Sequence, residues 1–372
     1  MVIAVNLQVV QGSILNSDNS FITACFNQLA KQHPKHSFIY IVDKGFDEKN
    51  IQSQNITVVV AGPPVKSTLA LQYRLQYKIP ALLRKHKADI FISEMICSLR
   101  TKIPQCIIIN DLSFLQRSSY LTAGWARFYK NNTAKYVDKA AAVITTSLFL
   151  QQQLMTHYKT AAEKIKVIPA GIDERFVAAG WELKESIKEK YAGGKEYFLY
   201  AGLIHPAQEL TNFLKAFSFF KKRQKSNMQL VIASSTATTD SGFIKSLDSF
   251  KYRDEVKVFE NIPVDELVAL TAGAYALVYP SQHALFATSV TQAMQAAVPV
   301  IAGNSAALRE ICGEAAAGIN PSDFNDIATK MMWLFKDEDE RNSLIIKGQQ
   351  KELLYWDAVA GKVWKEITFI LQ

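Results

Sequence analysis

Residues 276–301 read ALVYPSQHALFATSVTQAMQAAVPVI. Two short β-rich runs, 276–279 and 298–301, bracket a helical stretch that should begin near Ala287-Thr288-Ser289. Strands alternating with helices at this spacing imply βαβ units and a parallel sheet. The same alternation extends upstream, with strand candidates at 197–201, 229–233 and 256–259. Between the first two of these, Leu210, Phe213, Leu214 and Phe217 recur at helical spacing as a core-facing stripe. The first half repeats the pattern, with strand candidates at 3–6, 38–42, 57–60, 90–93, 106–110, 142–145 and 166–168. Helical stretches lie near 20–32, 68–87, 122–138 and 147–157, and Pro80 should kink or split the second. Around 170–194 the pattern gives way to a charged connector ending in Gly193-Gly194. The chain therefore reads as two doubly wound α/β domains in tandem, 1–172 and 173–354. Ligands of such sheets bind beyond the carboxyl ends of the strands, and the cleft between two such domains is the expected site.

Composition agrees with a folded protein. Of 372 residues, 49% are hydrophobic and 20% charged, which excludes a disordered or collagen-like chain. The net charge is +8, unevenly placed: residues 1–180 hold 21 basic and 11 acidic side chains, residues 181–372 hold 21 and 23. Glycine is scarce, at 16 residues. The four cysteines (Cys25, Cys97, Cys106 and Cys312) form no CxxC pair, and no Cys/His cluster has metal-ligand spacing. Residues 1–10 read as a first strand and not a signal peptide, and no apolar run is long enough for a spanning helix. A cytoplasmic protein is expected, so the Asn-x-Thr sequons at Asn55 and Asn131 carry no weight.

The second half carries a family resemblance. Tyr279-Pro280-Ser281 is followed by Phe286, by Gln292-Ala293-Met294 and by Val298-Pro299-Val300-Ile301; Glu310, Gly313, Ala315-Ala316, Pro321 and Asp323 come next. This run resembles the donor-binding region of family 4 glycosyltransferases, which have the GT-B fold. KVIPAGID at 166–173 is similar to the family's interdomain stretch, and FLYAG at 198–202 to the strand opening its second domain. DLSF at 111–114 is similar to its acceptor-side loop. Tyr355-Trp356 opens a segment, 355–372, that resembles the last helix, which returns to the first domain. The resemblance implies transfer of a sugar from a nucleoside diphosphate to a glycan or lipid-linked acceptor in cell-surface polysaccharide or lipopolysaccharide synthesis. It also implies retention, no metal, and no cofactor beyond the nucleotide sugar as co-substrate.

At the positions that would meet donor, the sequence departs from the family. An Arg-Lys pair is replaced by Ala207 and Gln208 in GLIHPAQE, 202–209. Two glutamates eight residues apart, the first in a Glu-Gly-Phe-Gly turn, become Ala284 and Gln292, and the turn's glycines become Leu285 and Ala287. The acceptor loop's His-Asp is Asn110-Asp111, the two candidate catalytic positions, and the glycine-rich first loop, VVQGS at 9–13, keeps only Gly12. An Arg-Lys pair at a dry diphosphate site supplies charge-assisted hydrogen bonds worth roughly 1.5–3 kcal/mol each. Partial replacement is available from a helix N-terminus near Thr288 and Ser289, whose free N–H groups suit phosphate, though the two hydroxyls equally suit simple capping. Gly202, His205, Gln208, His283, Phe286, Thr288, Ser289 and Gln292 are the candidate donor-side residues. An isolated histidine such as His205 or His283 is more often an ordinary surface residue than a ligand.

The basic surplus of the first half falls in two segments. Arg74, Lys78 and Lys85 follow one helical stripe beside Tyr73, Leu75, Tyr77 and Leu82; Arg127, Lys130, Lys135 and Lys139 lie among Trp125, Phe128, Tyr129 and Tyr136. Basic residues beside aromatic ones suit the anionic inner face of a membrane, at about 1 kcal/mol each, or else are a solvated face over an aromatic core. No recognition motif points to nucleic acid. Two main readings result: an active transferase with an altered donor site, and a silent GT-B protein that binds a glycan or a partner transferase. A nucleotide-sugar epimerase is weaker, since the charged groups its site requires are not found.

Overall fold

The computed structural model describes residues 1–8, 20–47, 51, 53–115, 121–238, 240–282 and 287–372. The chain divides into two compact units, Met1–Gly171 with Leu354–Gln372, and Ile172–Leu353.

The first unit is built on seven strands: β1 (Val2–Asn6), β2 (Ser37–Asp43), β3 (Ile56–Gly62), β4 (Ile90–Glu94), β5 (Gln105–Ile109), β6 (Ala142–Thr145) and β7 (Ile165–Val167). Their order in the sheet is β3-β2-β1-β4-β5-β6-β7, and every described pairing is parallel. The order reverses between β1 and β4, the switch point of a doubly wound sheet. Both faces are covered, so the central strands are mostly apolar, with polar residues such as Asn6 and Glu94 at their ends. One face packs on the helices Phe21–Gln32 and Trp356–Ile370, through Phe26, Leu29, Val359, Val363 and Ile367. The C-terminal helix is therefore an integral part of the first unit. Gly171 permits its close approach, because a Cβ there would lie 2.6 Å from Trp356 Cδ2. The other face packs on Leu75, Leu83, Tyr129 and Val137.

Pro80 acts as its chemistry requires. The helix begun at Thr68–Tyr73 widens into a π-helical turn, Arg74–Lys78, before resuming at Ile79–Lys85. Proline has no N–H to continue the ladder, and one wider turn accommodates the gap.

The second unit has six parallel strands: β8 (Tyr197–Ala201), β9 (Gln229–Ala233), β10 (Val256–Phe259), β11 (Ala276–Tyr279), β12 (Val300–Gly303) and β13 (Ala316–Ile319). The order is β10-β9-β8-β11-β12-β13, so its switch point lies between β8 and β11. β12 starts two residues later than the sequence suggests, because Ala297 has a positive φ of 55° and Pro299 offers only its carbonyl, to Leu277 N. β13 escapes sequence reading, since AAGI is short and holds a strand-weakening glycine. The stripe Leu210, Phe213, Leu214 and Phe217 is fully buried core.

Candidate functional site

In the second unit the carboxyl ends of β8 and β11 flank the switch point, and the segments leaving them carry most of the donor-side candidates. His283 and Phe286 lie outside the described residues, as do 284 and 285. Gly202 leaves β8 with its N–H bonded to Ala233 O at 3.0 Å; a Cβ there would lie 2.9 Å from Tyr200 Oη. His205 is half-buried, and burial lowers its pKa while Asp240 opposes the shift. Gln208 closes a short 3-10 turn, Pro206–Gln208, and is completely buried. A side chain so enclosed is shaped for fixed neighbours rather than for a surface charge.

The helix Thr288–Gln295 starts at Ala287, with no side-chain cap. The capping alternative for Thr288 and Ser289 is thus not taken at this N-cap. Within the first turn the Val290 N–H is bonded to Ala287 O at 3.0 Å. Thr288 and Gln292, four residues apart, share one face and are half-buried, while Ser289 is buried. Ser281, after β11, packs its carbonyl against Gly303, where a Cβ would clash with Ser281 O at 1.9 Å.

Sequence reasoning missed Glu209. It enters the next helix with φ of 53°, and Asn212 Nδ2 donates to its Oε2 at 3.0 Å and to Pro321 O at 3.2 Å. Burial raises the Glu209 pKa, against the pull of Lys215. Glu310 is exposed on the helix Ala306–Cys312.

In the first unit, Asn110 and Asp111 follow β5. Asp111 is buried, and both of its oxygens are engaged by Ser113: the backbone N–H at 2.7 Å and Oγ at 2.9 Å. Burial raises its pKa, and those two donors work against the shift. These bonds give Asp111 a loop-shaping role at the turn Ser113–Leu115. Asn110 instead donates through Nδ2 to Glu94 Oε1 at 2.5 Å. Burial pushes the Glu94 carboxyl up to about 7, with the Asn110 amide acting in the opposite direction. Glu94, the acid that ends β4, is a second residue the sequence reading passed over. Gly12 lies outside the described residues.

The basic residues do not form one surface. Arg74 is turned inward and 8% exposed, with Nη1 2.5 Å from Asp43 Oδ1 and Nη2 donating to Pro63 O at 2.6 Å. Gln8 Nε2 adds a 3.0 Å bond to the same Asp43 oxygen. The expectation that Arg74 faces a membrane is corrected: its guanidinium is needed beside a buried carboxylate. Lys78, Lys85, Arg127 and Lys130 are exposed. Trp125, Phe128, Tyr129 and Tyr136 are buried, so that segment is a solvated basic face over an aromatic core. Leu69, Tyr73 and Tyr77, spaced four residues apart, are 77%, 66% and 51% exposed. The two tyrosines stack at 5.3 Å, and Arg100 lies 4.4 Å over the Tyr77 ring. Among the described residues, no helix is long and apolar enough to cross a membrane.

Comparison with known proteins agrees with this architecture. The family model described as Glycosyltransferase Family 4 matches residues 23–176, and that described as Glycosyl transferases group 1 matches residues 183–351. O-antigen chain mannosyltransferase B of Escherichia coli is 20% identical over 250 residues, 67% of this chain and 66% of that protein. Serotype-specific mannosyltransferase WbdA of Escherichia coli is 23% identical over 238 residues, 63% of this chain and 29% of that one. The matches thus span less than two thirds of these relatives' lengths. Among solved structures, HepE of Anabaena in complex with UDP and glucose superposes with a TM-score of 0.79 at 14% identity, covering 99% of this chain and 100% of that one. With one model matching each half, and both sheets doubly wound, the chain belongs to the group 1, family 4 glycosyltransferases, proteins of the GT-B fold.

Proposed function

We propose that this protein transfers a hexose from a nucleoside-diphosphate sugar to a glycan or lipid-linked acceptor during cell-surface polysaccharide or lipopolysaccharide assembly. The observation that carries the reading is the helix Thr288–Gln295, which starts beyond β11 beside the switch point and has no side-chain cap. The partial positive charge of its N-terminus suits the diphosphate that departs in the reaction. Thr288 lies in the first turn, and Gln292 stands one turn further along, where its amide would hydrogen-bond a ribose hydroxyl. Similarity to O-antigen mannosyltransferases of Escherichia coli favours mannose as the sugar and an O-antigen-like glycan as the product. The reaction proceeds with retention and needs neither metal nor a further cofactor.

Thermal unfolding with UDP, GDP and their sugar conjugates tests the reading. A donor at a hundred times its dissociation constant stabilises the fold by about 2.7 kcal/mol. No shift with any nucleotide, from a folded sample, overturns it. The second reading, a silent GT-B protein that binds a glycan or a partner transferase, is favoured by the neutral Ala207 and by the burial of Gln208.

The protein works in the cytoplasm, at the inner face of the membrane. The exposed Leu69, Tyr73 and Tyr77, near Lys66 and Lys78 in sequence and with Arg100 over the Tyr77 ring, are the contact surface this reading requires. Anionic vesicles should sediment the wild type and not the Leu69→Ser, Tyr73→Ser, Tyr77→Ser variant. Equal sedimentation of the two excludes this surface.

A further inference from the structure

At its switch point, a doubly wound sheet opens a crevice at the carboxyl ends of its strands. In the first sheet that point lies between β1 and β4, and Glu94 ends β4 there. Glu94 is half-buried, and among the described residues its carboxyl has one hydrogen-bond partner, Asn110 Nδ2 at 2.5 Å from Oε1. Asn110 spends its nitrogen on that bond, while its Oδ1 is buried and meets no donor among the described residues. Asn6 ends β1 across the switch point, is 4% exposed, and also buries Oδ1 with no donor among the described residues.

Among the described residues, the open positions of Glu94, Asn110 and the Asn6 side-chain carbonyl are therefore hydrogen-bond acceptors. A phosphate would meet oxygen atoms, and Arg74 cannot serve it while its guanidinium holds Asp43. An uncharged sugar fits, because each of its hydroxyls brings a donor. We propose that Glu94 and Asn110 form a binding site for a hydroxyl of an uncharged acceptor sugar, Glu94 accepting the hydroxyl hydrogen and Asn110 holding the carboxylate in place. The identification of that sugar as the acceptor rests on the transferase reading above.

The site has a pH signature. Glu94 titrates near 7, so its stronger acceptor form grows from about pH 6 to about pH 8. Among the described residues, Tyr129 on the helix Ala123–Lys139 interacts through its phenol with both Glu94 and Asp111, and Asp111 is tied down by Ser113. Burial raises the Tyr129 pKa, so that ring stays protonated across this range.

Saturation-transfer NMR on the full chain, with methyl mannoside as probe and a phosphorylated mannose as control, tests the site. Wild type should bind methyl mannoside more tightly at about pH 8 than at about pH 6, and bind it in preference to the phosphorylated sugar. Glu94→Ala should weaken it by about tenfold or more, the loss of a hydrogen bond to a charged group. Glu94→Gln should retain weaker binding that no longer changes with pH. Circular dichroism of each variant controls for folding. Methyl mannoside binding that is undetectable in wild type, unchanged in Glu94→Ala, or still pH-dependent in Glu94→Gln overturns the proposal. Nucleotide binding, measured separately, reports on the transferase reading alone, so the two can fail independently.

Discussion

Replacing Arg74 with methionine keeps most of its length and removes its charge. In the folded protein the guanidinium lies 2.5 Å from Asp43 Oδ1, and both residues are almost fully enclosed, at 8% and 5% exposure. At an effective dielectric constant of about 20 the gross attraction at that distance is about 7 kcal/mol, against which the desolvation of both ions must be set. Breaking a buried pair by removing one member typically costs about 3–5 kcal/mol, because the other charge stays behind in a medium that solvates it poorly. Gln8, with its 3.0 Å bond to Asp43, moderates the loss, so about 3 kcal/mol is expected, or roughly 6–12 °C in a unit of this size. Asp43→Asn should cost a similar amount. The double variant should cost less than the sum, with a coupling of about 1–3 kcal/mol. Thermal unfolding gives the global value, and hydrogen exchange in peptides from 68–85 gives the local one. A loss under about 1 kcal/mol with additive effects would show that the pair contributes little and that the inward placement of Arg74 is wrong. Loss of vesicle sedimentation in Arg74→Met at unchanged stability would return Arg74 to the surface.

Glu94→Gln also tests linkage. The folded carboxyl holds its proton up to about 7, above the ordinary 4.5, so its stabilising contribution is complete below about pH 4.5 and is lost as pH rises to about 7. The variant should therefore gain on wild type across that window and level off above it, by about 2 kcal/mol after discounting for water at a half-buried group. No change in the difference between pH 4 and pH 8, about four units, refutes the raised titration. Gly303→Ala would place a Cβ 1.9 Å from Ser281 O, so the backbone must shift; a loss of at least about 2 kcal/mol is expected on chemical denaturation, and a neutral result refutes the close approach. Gln292→Glu restores the acid of the family pattern at a half-buried position. It should tighten nucleotide binding by about tenfold in calorimetry, and unchanged affinity argues that Gln292 does not meet the ribose.

Much of the fold was legible because hydrophobic runs report burial directly. The βαβ alternation needs no tertiary information, since strands covered on both faces must be apolar along their length. The strands missed or misplaced were those decided by local backbone chemistry: β13, weakened by Gly318, and the start of β12, set by the left-handed Ala297 and by Pro299. The site was legible to a smaller degree. Gly202 follows a strand end and Thr288 lies in a first helical turn, with Gln292 one turn further along the same face, where a ligand can be met. Gln208 proved enclosed and Asp111 proved committed to Ser113, because a residue's type does not disclose which neighbour has claimed its polar atoms.

The sequence by itself determined two doubly wound sheets, the resemblance of the chain to its family, and the neutral residues Ala207, Gln208, Ala284 and Gln292 where the family pattern carries charge. Periodicity, strand spacing and residue identity are local properties, and all three survive unfolding. Only the tertiary structure decided which charges face water and which face each other. Arg74 and Lys78 read as one basic stripe along the chain, yet a π-helical turn buries the first against Asp43 and leaves the second exposed. Glu94 and Asn110 stand sixteen residues apart and become a hydrogen-bonded pair because β4 and β5 are neighbours in the sheet. Their pairing, the burial that lifts Glu94 toward neutrality, and their place at the switch point all depend on contacts between segments distant in sequence.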